Sequence, residues 1–223
     1  MPPRWDGMRV SMDILADGKP MRAIPHHGKT YLAVPRLGTE YQIRVSNHGP
    51  YRVVAIVSVD GLSVLNGQPA SEDHPGYIVA PRSSIVIKGW RRNMDRVAAF
   101  SFEERDKSYA SRVGRPENVG VLGLIAIEEM IARPRPLPME KRARAPESAL
   151  KDQGTVGGTG TGYGREIDSR IYYVNFVRSN NKRTITMYYD TVENLRWSGV
   201  PVDRPMPVPF PVDTEFVPPP PEK

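Results

Sequence analysis

Nine consecutive residues, Tyr51 to Val59, carry Val53, Val54, Ala55, Ile56 and Val57 with no charge after Arg52. β-Branched side chains are stiff in a helix and pack well on a pleated sheet. A charge-free run of strand length suits a strand covered on both faces. Such a strand needs partners along both edges and packed layers above and below it. This one segment therefore restricts the chain to a fold built around sheets.

The flanking segments repeat the β pattern. Val10, Met12 and Ile14 alternate with Ser11 and Asp13, Asp17-Gly18 offers a hairpin turn, and Met21 to Ile24 follows it as a strand. Thr30 to Val34 is next, and Tyr41, Ile43 and Val45 alternate with Gln42, Arg44 and Ser46 up to Asn47-His48-Gly49-Pro50. After Val59, Asp60-Gly61 and Asn66-Gly67 turn the chain, and Gly76 to Val79, Ser84 to Ile87 and Arg96 to Phe102 continue the pattern. Asp106 to Val113 reads as one or two helical turns, and Val119 to Ile127 as a second strand buried on both faces. Short strands about ten residues apart with turn residues between them point to a mostly β fold, an antiparallel β-sandwich or jelly roll over residues 8–130.

After Glu129 the pattern stops. Arg133-Pro134-Arg135-Pro136-Leu137-Pro138 cannot continue a sheet interior, and residues 154–164 include six glycines. Residues 131–164 are therefore expected to be a basic, Pro/Gly-rich flexible insertion. Residues 165–200 are expected to hold a late β-hairpin, Ile171–Val177 against Arg183–Tyr189, turned by Ser179 to Lys182, and a short helix capped by Asp190, with Glu193 completing a capping box and Gly199 ending it. An isolated hairpin is only marginally stable, so this one is expected to join the main sheet. From residue 201 the proline-rich tail, ending Pro218-Pro219-Pro220-Pro221, should be extended.

Composition narrows function mainly by exclusion. There is no cysteine, which removes disulfides and thiolate metal sites and fits a reducing compartment. Residues 1–7 lack the apolar stretch of a signal peptide, and no apolar run approaches the roughly 20 residues of a membrane span. A cytoplasmic or virion location follows as the expectation. Of the net charge of +6, residues 131–153 supply half, with 6 basic and 3 acidic groups. The +3 spread over residues 1–130 is a poor footprint for nucleic acid, which is not an expected partner.

No motif assigns a catalytic, cofactor-binding or metal-binding residue. The glycines from Gly157 to Gly164 lack the preceding strand and following helix of a phosphate loop and end in no Gly-Lys-Ser/Thr, so they read as a linker. His26 and His27 are adjacent, which on a strand sends them to opposite faces, so a surface turn is preferred to a metal site. Ser58, Asp60 and His74 are the parts of a nucleophilic triad without a nucleophile elbow, and Asp60-Gly61 is ordinary turn chemistry. Glu103, Glu104 and Asp106, like Glu128 and Glu129, read as solvated strand ends. Gly89-Trp90-Arg91-Arg92 is the leading surface candidate, because Trp and Arg concentrate at binding hot spots. Its plainer reading has Trp90 closing the core with the arginines in solvent.

Five stretches, Tyr41 to Asn47, Ser58 to Val64, Gly76 to Val79, Gly89 to Arg91 and Val119 to Gly123, resemble a group of uncharacterised bacterial and phage-borne β-sandwich proteins. The resemblance spans roughly residues 20–130 and, more loosely, the chain after Gly160. It implies a shared domain and supplies no activity and no site residues. The favoured expectation is a non-enzymatic structural or interaction protein, a subunit of a homo-oligomer or larger assembly such as a shell, virion or surface layer. Its partner-binding residues would be Trp90, Arg91 and Arg92, with Phe210 and Phe216 of the tail docking in a groove on the same domain or, preferably, on a neighbour. A carbohydrate-binding module that stacks sugars on Trp90 and loop tyrosines is the first alternative. An enzyme with a pocket invisible from sequence is the second.

Overall fold

The computed structural model describes residues 8–130 and 158–203. Most of the expected flexible insertion, and the tail from residue 204 with Phe210 and Phe216, lie outside the described residues.

Alternation builds β1 (Val10–Ala16), in which Val10, Met12 and Ile14 are buried. Asp17 and Gly18 both take left-handed backbone angles (φ 50° and 74°), which reverses the chain in two residues into β2 (Lys19–Pro20). The pairing with β1 ends there, and β3 (Ala23–His26) leaves to pair with β4 (Lys29–Val34) across the His27-Gly28 turn. The paired histidines therefore sit at a surface turn. Then follow β5 (Glu40–Asn47), β6 (Val53–Val59), β7 (Leu62–Ser63), β8 (Tyr77–Val79), β9 (Ser83–Ile87), β10 (Gly89–Arg91) and β11 (Arg96–Glu104). A 3-10 turn at Arg105–Lys107 leads into the single-turn helix α1 (Tyr109–Arg112), which Ser108 caps at Ser111 N. The last elements are β12 (Val121–Glu129), β13 (Thr159–Asp168), β14 (Arg178–Thr191) and α2 (Val192–Trp197).

The protein is mostly β, with two seven-stranded sheets in a sandwich-like arrangement. The first runs β10-β11-β5-β1-β2, with β13 also on β11 and β9 also on β5. The second runs β3-β4-β14-β12-β6-β7, with β8 also on β6. One continuous apolar core takes Ile14, Tyr41, Ile43, Val45, Phe100 and Phe102 from the first sheet and Leu32, Val57, Leu122, Leu124 and Tyr189 from the second. As expected, β6 is central and covered on both faces: Val53, Ala55 and Val57 face the main core, while Val54 and Ile56 join Ile127 in a smaller outer cluster.

Four expectations need correction. β12 is central, paired on both edges, but only Leu122, Leu124 and Ala126 face the main core. Val121 and Ile125 on the outer face are half-buried. The described end of the glycine-rich segment is no linker. It forms the first half of β13, with Thr159 to Gly162 buried, because glycines let this strand press onto its neighbours. A Cβ on Gly162 would stand 2.5 Å from Glu103 Cγ, and one on Gly164 2.9 Å from the Ala99 carbonyl. The late hairpin does not form. β13 joins the first sheet and β14 the second, where β14 fills the slot between β12 and, in parallel, β4, leaving Ile171–Val177 outside both ladders. Finally, Thr191 rather than Asp190 caps α2, accepting from Asn194 N at 3.2 Å, since Asp190 is occupied elsewhere.

Gly160 tests the packing role of these glycines. An added Cβ would collide with the Ser108 side chain and lie 2.7 Å from Val119 Cγ1, inside the buried seam between β13 and α1. Gly160→Ala should lower stability by about 1–3 kcal/mol through overpacking, several degrees in Tm by differential scanning calorimetry. Gly28→Asn, at an open left-handed turn that Asn tolerates, should move Tm far less. Equal shifts for the two variants would show that the β13 seam has room to spare.

Candidate functional site

Two features stand out from the apolar body: a buried polar network at Asp60 and an exposed apolar segment at residues 169–177.

Asp60 follows β6 and has a left-handed backbone (φ 52°), with Gly61 completing the turn. Its carboxylate points inward and is almost wholly buried. Oδ1 accepts from Gly120 N at 2.9 Å and from the Tyr189 hydroxyl at 2.6 Å, and Oδ2 accepts from Thr161 N at 2.8 Å. The Thr161 hydroxyl then bonds both Tyr189 and Tyr41, each at 2.7 Å. Tyr41 and Thr161 belong to the first sheet, and Asp60 and Tyr189 to the second, so the network ties the two together. Burial raises the Asp60 carboxyl from its ordinary 3.8 to about 6, opposed by the hydrogen bonds from Tyr189, Thr161 and Gly120. Burial, with the Asp60 charge as the next cause, holds the phenols of Tyr41 and Tyr189 well above their usual range.

Asp60, Thr161 and Tyr189 are all buried, whereas a general base must reach its substrate. Among the described residues Asp60 bonds Gly120, Thr161 and Tyr189 and neither Ser58 nor His74; Ser58 packs against Gly123, and the His74 carbonyl accepts from Arg178. Among the described residues no group of three potential ligands is placed to hold a metal ion. A second buried carboxylate, Asp190, works similarly, accepting from Gly158 N at 3.1 Å, the Thr159 hydroxyl at 2.7 Å and Asn194 Nδ2 at 2.9 Å. It fastens the start of β13 to the end of β14.

The Gly89-Trp90-Arg91-Arg92 motif divides into three roles. Trp90 is 3% exposed, packs edge-on against Phe100 and donates its indole N–H to the Gly162 carbonyl at 3.0 Å. It closes the core. Arg92 is paired with Glu166 on β13 at 2.8 Å. Arg91 donates to the Ser169 carbonyl and hydroxyl and to Tyr77 Oη, gripping the chain where it leaves β13.

That grip begins the second feature. Ile171 N donates to the Met94 carbonyl at 3.0 Å, and at the far end Met130 N donates to the Val177 carbonyl at 2.7 Å. Arg52, paired with Glu129, donates to the Asn175 carbonyl and stands over the Phe176 ring, which packs on Val54, Ile56 and Ile127. Between these anchors the side chains of Tyr172, Tyr173 and Val174 are 80%, 89% and 56% exposed, and Val177 is 61% exposed. The sequence marks this stretch as strand-forming. What it misses is that β12 pairs along β14 from Arg178 to Tyr188, the strand against which this segment would have formed a hairpin.

Comparison of the chain with protein-family models, with curated proteins and with solved structures finds no match. Among the described residues no helix is long and apolar enough to cross a membrane. The class defined by fold and site is therefore a mostly β, two-sheet protein with a buried inter-sheet network and an exposed, anchored apolar segment.

The pH dependence of the network has a definite sign. The folded state takes up the Asp60 proton near pH 6 and the unfolded chain only near 3.8, so this group adds stability as pH falls through that window, about 3 kcal/mol in all. Asp60→Asn removes the titration. Urea denaturation between pH 7 and 3.5 should show wild type gaining on the Asn variant by that order as pH falls, and a constant difference would refute the buried-charge account.

Proposed function

We propose that this protein is a non-enzymatic structural or interaction protein that works as a subunit of a larger assembly. The observation that carries this reading is the exposed run Tyr172-Tyr173-Val174. Large apolar side chains exposed together mark contact surfaces more often than solvent-facing loops. Here they are presented on a segment fixed at both ends, which lowers the entropic cost of docking. Tyrosine is also favoured at interfaces, because its ring covers apolar area at small rotamer cost while its hydroxyl stays hydrated. The resemblance to phage-borne and bacterial proteins suits a shell, virion or surface layer, with a cytoplasmic or virion location.

A carbohydrate module has less support. Its platform would have centred on Trp90, which is buried, and Tyr172 and Tyr173 are consecutive residues, which an extended chain turns to opposite sides.

The test is the mass of the full-length protein in solution. Size-exclusion chromatography with light scattering should show a multi-chain species. The double variant Tyr172→Ser, Tyr173→Ser should keep the wild-type Tm to within a degree or two, because both side chains are exposed, and should shift toward the mass of one chain. A wild-type protein that stays at single-chain mass up to high concentration would end this reading.

A further inference from the structure

One end of the first sheet gathers positive charge. There β5 lies between β1 and β9 and runs antiparallel to both, and the register sets Val10, Asn47 and Ser83 side by side. The start of β1, the end of β5 and the start of β9 therefore meet at one end of the sheet. The residues just beyond that row are Arg9, His48 and Arg82. His48 N donates to the Arg9 carbonyl at 2.7 Å, and Arg82 N donates to the Gly49 carbonyl at 3.3 Å. One row inside it, Ser11, Ser46 and Ser84 stand opposite one another across the same three strands. Their neighbours Met12, Val45 and Ile85 pack on the core, which puts the three serines on the outer face.

Arg9, His48 and Arg82 line a cleft of about 410 Å³ together with Ser46, Ser83 and Ser84. Ser11 Oγ lies at its margin, 3.0 Å from His48 Nε2. Arg44, two residues before Ser46 on β5, is held by Asp13 at 3.0 Å. Among the described residues no carboxylate lines the cleft, and none pairs with Arg9 or Arg82. Two guanidinium groups without a counter-charge, beside hydroxyl and imidazole groups, form a setting that suits an oxyanion.

The backbone that carries these groups is fixed in advance. The buried Asn47 side chain donates through Nδ2 to the carbonyls of Tyr51 at 2.7 Å, Val79 at 3.2 Å and Ala80 at 3.1 Å, and its Oδ1 accepts from Gly49 N at 2.9 Å. One amide thus clamps the chain after His48 to the chain before Arg82. Arg82 itself has a left-handed backbone (φ 54°). The other described non-glycine residues with such angles, Asp17, His27 and Asp60, each precede a glycine in a tight turn, whereas Arg82 precedes Ser83. Glycine or asparagine would fit this backbone with less strain. Strain of this kind marks places where a particular side chain is held for use.

We infer that this cleft binds the phosphate group of a small ligand. Arg9 and Arg82, at the ends of the two flanking strands, supply the charge, and His48 and the Ser46 and Ser84 hydroxyls supply further hydrogen bonds. Its volume lies in the range of small-molecule pockets, so there is room for the group that carries the phosphate. The three basic residues meet at one point, which suits a single phosphate better than the chain of them in a nucleic acid. The site is independent of the assembly reading and stands or falls separately from it.

The test titrates the full-length protein with glycerol 3-phosphate and with inorganic phosphate, in chloride buffer held at fixed ionic strength. Amide NMR spectra should show saturable shifts centred on Ser46, His48, Arg82 and Ser84. Arg9→Ala and Arg82→Asn should each weaken binding about ten-fold or more, while Arg36→Ala, at an exposed arginine away from the cleft, should leave it unchanged. Without ligand, Arg82→Asn should melt at or above the wild-type temperature, because asparagine accepts left-handed backbone. Tighter binding of glycerol 3-phosphate identifies a phosphate ester as the ligand, and equal binding of the two identifies the free ion; both results uphold the site. A lower melting temperature with unchanged affinity would make Arg82 a structural residue and overturn the inference. Shifts spread over the whole surface, or affinities that neither cleft variant alters, would overturn it too. A single-stranded oligonucleotide bound about a hundred-fold tighter than the ester, and lost in the same variants, would overturn the small-ligand assignment in favour of nucleic acid.

Discussion

The Asp60 carboxylate is the fixed point of this structure. A charge taken from water costs several kcal/mol unless donors converge on it, and here two backbone N–H groups and a phenol do so. Each donor comes from a different part of the chain: Gly120 before β12, Thr161 in β13, Tyr189 in β14. Placing the carboxylate correctly places all three, and with them the register of strands far apart in sequence. The Tyr41 hydroxyl, reached through Thr161, extends the same constraint to β5. An apolar core of this size would hold two sheets together without fixing how one slides over the other. Hydrogen bonds have direction, and this network supplies the missing specification.

The glycines of β13 follow from that demand. For Thr161 to reach Asp60, β13 must lie close against β11 and the α1 turn, and side chains on Gly160, Gly162 and Gly164 would hold it away. A flexible-looking composition therefore encodes close packing. β13 and β14 are neighbours in sequence yet belong to different sheets, so the chain between them has to cross the molecule. That crossing, pinned by Arg91 at one end and Arg52 at the other, is why an apolar strand-like segment ends up outside both ladders. The exposed surface is a consequence of how the sheets are assembled.

Much of the architecture was legible because it rests on local physics. Alternation at Val10, Met12 and Ile14 and at Tyr41, Ile43 and Val45 gave strand positions and inward faces, since side chains alternate across a strand wherever it lies. Asp17-Gly18, His27-Gly28 and Asp60-Gly61 turned the chain where small or polar residues accept left-handed backbone. Trp90 closing the core was the plainer of two readings and is the one the structure shows. The errors came where the answer lay with a distant segment. Ile171–Val177 and Arg183–Tyr189 look like two arms of a hairpin, and nothing within them reveals that β12 pairs with the second arm instead.

By itself the sequence determined the β class, the position of most strands, the turns between them and the central, doubly covered β6, because these depend on side-chain branching, period and backbone freedom within a few residues. Only the tertiary structure decided that Asp60 is a buried inter-sheet tie rather than an exposed turn residue, that the glycines near residue 160 are a packing seam, and that Tyr172 to Val174 face solvent. Each depends on contacts between residues far apart in sequence, 60, 101 and 129 positions for the donors to Asp60, and which of several compatible strands fills a given edge is settled by the competition of whole sheets for hydrogen bonds and core space, a comparison that no local stretch of sequence contains.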